Sequence, residues 1–122
     1  MKPLNILVID DEQVICDACR LVLSERGHTV AHCITGHEGM RRLERSNYDL
    51  VLLDMKLPDI DGTRVLEYIE EKSLEPRVIV MTGYSTMSNA VEAMKLGAAD
   101  YLSKPFSEDE LLAAIDQVFA DE

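Results

Sequence analysis

Three short runs of the chain are apolar at every position: Ile6-Leu7-Val8-Ile9, Leu50-Val51-Leu52-Leu53 and Val78-Ile79-Val80-Met81. A strand with one face in water would alternate apolar and polar residues. An unbroken apolar run between polar residues instead fits a strand covered on both faces, as in a parallel sheet. Two weaker segments, Thr29-Val30-Ala31-His32-Cys33 and Asp100-Tyr101-Leu102, complete a set of five. Between them apolar residues recur every three or four positions, the helical period. From Glu12 to Arg26 the expected inner stripe is Val14, Ile15, Ala18, Leu21 and Val22, with Gly27 as the stop. Ala90, Val91, Met94 and Gly97 mark a fourth helix in the same way. Leu111, Leu112, Ile115, Val118 and Phe119 mark the last, after the start signal Ser107-Glu108-Asp109. The second helix is expected around Glu38 to Arg45 and the third around Thr63 to Lys72.

Strict strand-helix alternation predicts right-handed crossovers and a doubly wound parallel sheet with helices on both faces. The pattern contains no linker, repeat or low-complexity segment, so residues 1–122 are expected to form one domain. It leaves the strand order open. In such sheets ligands and chemistry sit in the crevice beyond the carboxyl ends of the strands.

Composition narrows the classes further. A formal net charge of −11 argues against a nucleic-acid partner for this domain, because binding a polyanion takes a basic stripe that displaces counterions. No apolar run approaches the ~20 residues of a membrane span. The start, Met1-Lys2-Pro3-Leu4-Asn5, lacks the long apolar region of a signal peptide, so the expected location is cytoplasmic. Cys16, Cys19 and Cys33 make no disulfide framework. Cys16 and Cys19 form a C-x-x-C, but inside the first predicted helix rather than at its start, and His28, His32 and His37 do not add zinc-finger spacing. Ordinary reduced thiols are expected.

The candidate chemistry lies at the strand ends. The first strand runs into Asp10-Asp11, the third into Asp54, the fourth into Thr82 and the fifth into Lys104-Pro105. A parallel sheet brings all of these to one edge. Asp10 and Asp54 could each simply cap the following helix, but that does not account for the whole set converging there. Crowded carboxylates repel one another unless a cation neutralises them, and few protein ligands with retained waters favour Mg²⁺. A metal held by open carboxylates, an opposing ammonium and a hydroxyl is apparatus for phosphoryl transfer, in which one carboxylate can itself be the nucleophile.

The segments Ile9-Asp10-Asp11-Glu12, Leu53-Asp54-Met55-Lys56-Leu57-Pro58-Asp59-Ile60-Asp61-Gly62, Met81-Thr82-Gly83-Tyr84 and Tyr101-Leu102-Ser103-Lys104-Pro105-Phe106 resemble the receiver domain of bacterial two-component response regulators. The match runs through essentially the whole chain in order and spacing. It implies a flavodoxin-like (βα)5 fold with strand order 2-1-3-4-5. It also implies a phosphorylation-activated switch in which Asp54 accepts a phosphoryl group from the phosphohistidine of a sensor histidine kinase or phosphotransfer protein. Asp11 and Asp54 would ligate Mg²⁺ directly, Asp10 through water, and the Lys56 carbonyl would add a further ligand. Lys104 would pair with Asp54 and then with the phosphoryl group, Thr82 would hydrogen-bond a phosphoryl oxygen, and Gly83 would offer its backbone N–H. Pro105 stands where the family usually has a cis peptide that aims the lysine. Tyr101 matches the switch aromatic, whose inward turn alters the face formed by the fourth helix, fifth strand and fifth helix, a shift between pre-existing arrangements. Lys56 and Tyr84 match positions flanking the path of the hydrolytic water. A long cation and a bulky ring there imply a long-lived phosphorylated state.

The stretches from Met81 to Thr86 and from Lys95 to Tyr101 are similar to receivers of nitrogen-regulator-type transcription activators, which carry an ATPase and a DNA-binding domain downstream. Those are implied output domains, and a phosphorylation-dependent dimer is an implied assembly. The chain stops at Asp121-Glu122, as either a single-domain regulator or an excised module.

Other functions fit less well. A flavodoxin-type electron carrier needs a Ser/Thr/Gly-rich phosphate loop where Asp10-Asp11-Glu12 would repel a cofactor phosphate. An aspartate-nucleophile phosphatase of the haloacid-dehalogenase type places D-x-D after the first strand and carries a cap, whereas here the two acids are adjacent. The domain is accordingly expected to catalyse only its own phosphorylation and dephosphorylation. A phosphorylation-independent interaction module leaves the acid set unexplained.

Overall fold

Apolar runs that alternate sides of a strand can be buried throughout only if both sides are covered. A computed structural model, which describes residues 2–83 and 87–121, shows how this is done. Along the chain lie β1 (Asn5–Ile9), α1 (Gln13–Glu25), β2 (Thr29–Cys33), α2 (Gly36–Arg45), β3 (Leu50–Asp54), α3 (Gly62–Glu71), β4 (Arg77–Thr82), α4 (Met87–Lys95), β5 (Asp100–Ser103) and α5 (Glu108–Val118). The strands form one parallel sheet of order β2-β1-β3-β4-β5. The fully apolar runs are its three inner strands. The weaker β2 and β5 are its edges, where burial is partial.

Successive residues of each inner strand feed two different cores. Ile6, Val8, Leu50, Leu52, Ile79 and Met81 pack under α1 and α5, with Cys16, Leu23, Leu111 and Ile115. Leu7, Ile9, Val51, Leu53, Val78 and Val80 pack under α2, α3 and α4, with Leu43, Val65, Leu66 and Ala93. Truncating any of these inner-strand side chains would both lose burial and open a cavity.

Two helix faces differ from the expected stripes. On α1 the inward residues are Cys16, Cys19 and Leu23, flanked by half-buried Ile15 and Val22. Val14 and Leu21 stand in solvent, 78% and 64% exposed, and Ala18 is exposed too. The two cysteines act as small apolar residues that let the helix lie close to the sheet. On α4, Ala93 is inward with Ala98 just beyond, whereas Val91 and Met94 face outward and Gly97 is exposed. The side chain of Ala90 lies outside the described residues. Small alanines allow the close approach, and the larger apolar residues are left on the opposite face.

Boundaries follow local chemistry. Helix α2 begins two residues before the expected Glu38, because the Thr35 hydroxyl accepts the Glu38 N–H as an N-cap. Gly36 stands at its first position, where a Cβ would collide with the Ile60 side chain. Ser107 and Glu110 form a reciprocal capping box on α5. Gly27, at φ 88°, ends α1 in the left-handed region, as expected of a glycine stop.

Candidate functional site

Parallel register brings the polar strand ends together. Ile9 pairs with Leu53, so Asp10 and Asp54 emerge side by side; Asp54 pairs with Met81, and Thr82 with Ser103, the residue before Lys104. Asp54 continues the series Leu50, Leu52 toward the α1/α5 side, and Thr82 continues Val78, Val80 toward the other. The site therefore straddles the sheet edge. A cleft of about 330 Å³ opens there, lined by Asp11, Glu12, Asp54, Lys56, Thr82, Gly83 and Lys104. A larger cleft, about 570 Å³, lies around Asp49, Pro76 and Arg77 at the opposite, amino-terminal edge of the sheet. It lacks the converging acid-and-lysine set, and in this architecture chemistry belongs to the carboxyl edge.

Asp10 is fully buried, and Asp54 and Thr82 nearly so. Asp10 Oδ1 accepts the Glu12 N–H at 2.9 Å, and Asp54 Oδ1 accepts the Lys56 N–H at 3.3 Å. The Lys104–Pro105 peptide is cis, as the resemblance implies, and the Lys104 N–H donates to the Thr82 carbonyl at 2.8 Å. The lysine ammonium reaches back across the edge, 2.7 Å from Asp10 Oδ2, 2.8 Å from Glu12 Oε1 and 3.4 Å from Asp54 Oδ2. Apart from this ammonium, the buried Asp10 Oδ2 has no hydrogen-bond partner among the described residues.

Burial, then the Asp10 charge, pushes the Asp54 carboxyl up to about 6, with Lys104 and the Lys56 N–H pulling the other way. Burial pulls the Lys104 ammonium down, but its bonds to Asp10 and Glu12 and the charges of Asp10 and Asp54 prevail and raise it. Both directions describe a pocket with more negative than positive charge. Oxygens of Asp10, Glu12 and Asp54 come within 4.8 Å of one another. A fully buried carboxylate within a crowded all-oxygen donor set suits a hard dication such as Mg²⁺.

Asp10, Asp11, Asp54, Lys56, Thr82, Gly83 and Lys104 thus meet at one edge, and Tyr101 does not join them there. Asp11 lies on the cleft wall but is exposed, and it stands outside the close carboxylate trio, where Glu12 takes its place. Lys56 is exposed on the cleft, and Gly83 lines its rim. Tyr101 is on β5, away from the cleft and exposed. Tyr84 lies outside the described residues. Burial lifts the thiols of Cys16 and Cys33 to about 11 and that of Cys19 to about 12, which holds them protonated at neutral pH.

Two supporting residues carry no periodic signal. Gly62 starts α3 directly against the end of β3: its N–H donates to the Met55 carbonyl at 2.9 Å, and a Cβ at this position would lie 2.7 Å from Met55 Cα and 2.8 Å from the Asp54 carbonyl oxygen. Asp59, in the same β3–α3 loop, accepts the backbone N–H groups of Gly36 and His37 at 2.8 and 2.9 Å, and its Oδ2 lies 2.6 Å from His37 Nδ1. It thereby ties the β3–α3 loop to the amino end of α2. Slight burial raises the Asp59 carboxyl, but the two amides and the histidine ring outweigh it and hold it well below the usual carboxylate range. Asp59→Ala should cost about 1–2 kcal/mol at pH 7, as expected for charge-assisted capping bonds that are partly in solvent. The unfolded aspartate titrates near ~4, so this contribution is complete above that pH and fades as pH falls toward the depressed folded value. Urea midpoints at pH 7 and pH 3 should show the gap between wild type and variant closing in acid; a gap independent of pH contradicts the capping account.

The α/β order and the sheet define a doubly wound α/β domain, with its polar strand ends gathered at the carboxyl edge. Residues 6–116 match the response regulator receiver domain model, and the chain belongs to that family. It is 39% identical over 112 residues to the transcriptional regulatory protein DltR of Streptococcus agalactiae serotype III, covering 92% of this chain and 50% of that one. It is 37% identical over 119 residues to the transcriptional regulatory protein ZraR of Escherichia coli K12, covering 96% of this chain and 26% of the relative. The chain thus spans half or less of these relatives' length. Among solved structures, the signal receiver domain of a putative Luxo repressor protein from Vibrio parahaemolyticus superposes with TM-score 0.92 at 27% identity, covering 98% and 92% of the two chains. NtrX from Brucella abortus superposes with TM-score 0.91 at 29% identity, covering 98% of this chain and 27% of that one. No helix among the described residues is long and apolar enough to cross a membrane.

Proposed function

We propose that Asp54 accepts the phosphoryl group in this receiver domain, from the phosphohistidine of a sensor histidine kinase or phosphotransfer protein. The observation that carries this is a buried carboxylate at the end of the central strand, open to the cleft, with an ammonium 3.4 Å away and a second buried carboxylate beside it. An Asp54 oxygen attacks phosphorus, the histidine N–P bond breaks, and the imidazole nitrogen leaves with the electron pair and takes a proton from solvent. The product is an acyl phosphate on Asp54. Lys104 neutralises charge on the transferring group, and the Thr82 hydroxyl and Gly83 N–H donate to its oxygens. Mg²⁺ would be held by Asp10, Asp11, Asp54 and the Lys56 carbonyl. Bound there, it would offset the negative charge of the carboxylates and orient the phosphoryl oxygens.

Output follows from a population shift. Thr82 would turn toward the phosphoryl group and the exposed Tyr101 ring would turn inward, changing the surface that β5 presents. The domain, residues 1–122, is read as a cytoplasmic module that catalyses only its own phosphorylation and dephosphorylation. It would control a dimer or an ATPase and DNA-binding output of the kind suggested by the ZraR and NtrX likeness. Lys56, and Tyr84 beyond the described residues, would shield the acyl phosphate from water.

The test is intact mass after incubation with a small acyl phosphate. One phosphoryl group should appear with millimolar Mg²⁺ and none with excess chelator. Melting temperature should also rise as Mg²⁺ saturates the site, by an amount corresponding to RT ln(1 + [L]/Kd). Identical melts with and without Mg²⁺, together with metal-independent labelling, contradict the reading.

A further inference from the structure

The ammonium of Lys104 is hydrogen-bonded to a carboxylate that the proposed chemistry does not use. Its Nζ donates to Glu12 Oε1 at 2.8 Å, while the acceptor oxygen of Asp54 is 3.4 Å away. Glu12 occupies the N-cap position of α1, yet its side chain makes no capping bond. It reaches instead to a residue 92 positions along the chain.

We propose that Glu12 is the resting partner of Lys104, holding the ammonium toward α1 in the unphosphorylated domain and yielding it when a phosphoryl group forms on Asp54. This rests on Asp54 being the acceptor and adds a positioning residue that sets how readily the site is charged. Of the three carboxylates around Lys104, Glu12 is the one that can let go. Asp10 is fully buried, and among the described residues its Oδ2 has no donor besides the ammonium, so losing it would strand a charge out of water. The Glu12 side chain is 58% exposed, and water replaces its partner at little cost. A phosphoryl dianion competing for the ammonium therefore displaces Glu12 and leaves the Asp10 contact in place. Glu12 opposes phosphorylation by the strength of the contact that it gives up.

The experiment compares Glu12→Gln and Glu12→Asp with wild type, each as the full chain. Nitrogen-15 NMR of the Lys104 side chain, without any donor, should show a shifted Nζ signal in both variants, because an amide carries no charge and an aspartate is a methylene too short. At limiting small acyl phosphate and saturating Mg²⁺, the labelled fraction should rise about two- to five-fold in both, the range expected for loss of one exposed ion pair. The Mg²⁺ midpoint, read from melts, should not move. Four results overturn the proposal. An unshifted Lys104 signal removes the contact, and unchanged labelling removes its consequence. A weakened Mg²⁺ midpoint makes Glu12 a metal ligand. An effect in Glu12→Gln with wild-type labelling in Glu12→Asp makes it general repulsion of the anionic donor. If wild type itself takes no label, the acceptor reading fails, while the NMR signal still reports whether Glu12 holds Lys104.

Discussion

Asp54→Asn is expected to fold normally and to take up no phosphoryl group under conditions that label wild type. The amide matches the carboxylate in size, so the nearly closed space around Asp54 is refilled without strain. Its oxygen can still accept the Lys56 N–H, and Lys104 keeps Asp10 and Glu12 as partners. The carboxyl of Asp54 is pushed up to about 6 by burial and by Asp10, so at neutral pH its charge is held against an electrostatic cost that the amide removes. Stability should therefore be equal to or above wild type in metal-free buffer, and urea unfolding will show it. The amide has no anionic oxygen to attack phosphorus, so the loss of labelling should be complete. Stoichiometric label on the variant would move the acceptor elsewhere, and an unfolded variant would mean that the charge itself supports the fold.

Gly62→Ala should carry the other large effect, on stability and on chemistry together. The added Cβ would meet Met55 Cα and the Asp54 carbonyl oxygen at distances no packed methyl tolerates, and neither is the free end of a flexible side chain. The backbone must give, at a cost of about 1–3 kcal/mol, the usual range for overpacking. What gives is the segment that carries Asp54, the proposed acceptor, and the Lys56 N–H and carbonyl. Initial labelling rates should fall several-fold even where the variant is fully folded, because sub-ångström misplacement of a nucleophile is costly. Urea midpoints and initial rates measure the two parts. A variant that matches wild type in both would show that the helix start can move away from β3 freely.

The inner strands β1, β3 and β4 were legible in the sequence because their burial is two-sided, and that writes apolar residues at every position. From those runs, the helical periods and strict alternation, the doubly wound sheet follows, and with it the placement of Asp10, Asp11, Asp54, Thr82 and Lys104 at one edge. Strand order did not follow from pattern; it came from resemblance, and register confirms it. The helix stripes of α1 and α4 were misread where small residues, Cys16, Cys19 and Ala93, pack inward and larger ones, Val14, Leu21, Val91 and Met94, face water. Hydrophobicity along a helix shows that a face exists, but how closely it can approach a sheet depends on shape.

Glu12, Asp59 and Gly62 lay inside the recognised segments without a role of their own. Glu12 looks like one more acid at a helix start until the fold brings Lys104 to it; Asp59 looks like a loop residue until its loop meets the amino end of α2; Gly62 looks like a turn residue until its Cα is seen against the end of β3. Periodicity is a local property, written in neighbours three or four positions apart, so sequence alone determined the elements and the edge on which the chemistry stands. Which acid holds the lysine, which loop is tied down and where no side chain fits depend on contacts between residues far apart in the chain, and only the packed tertiary structure decided them.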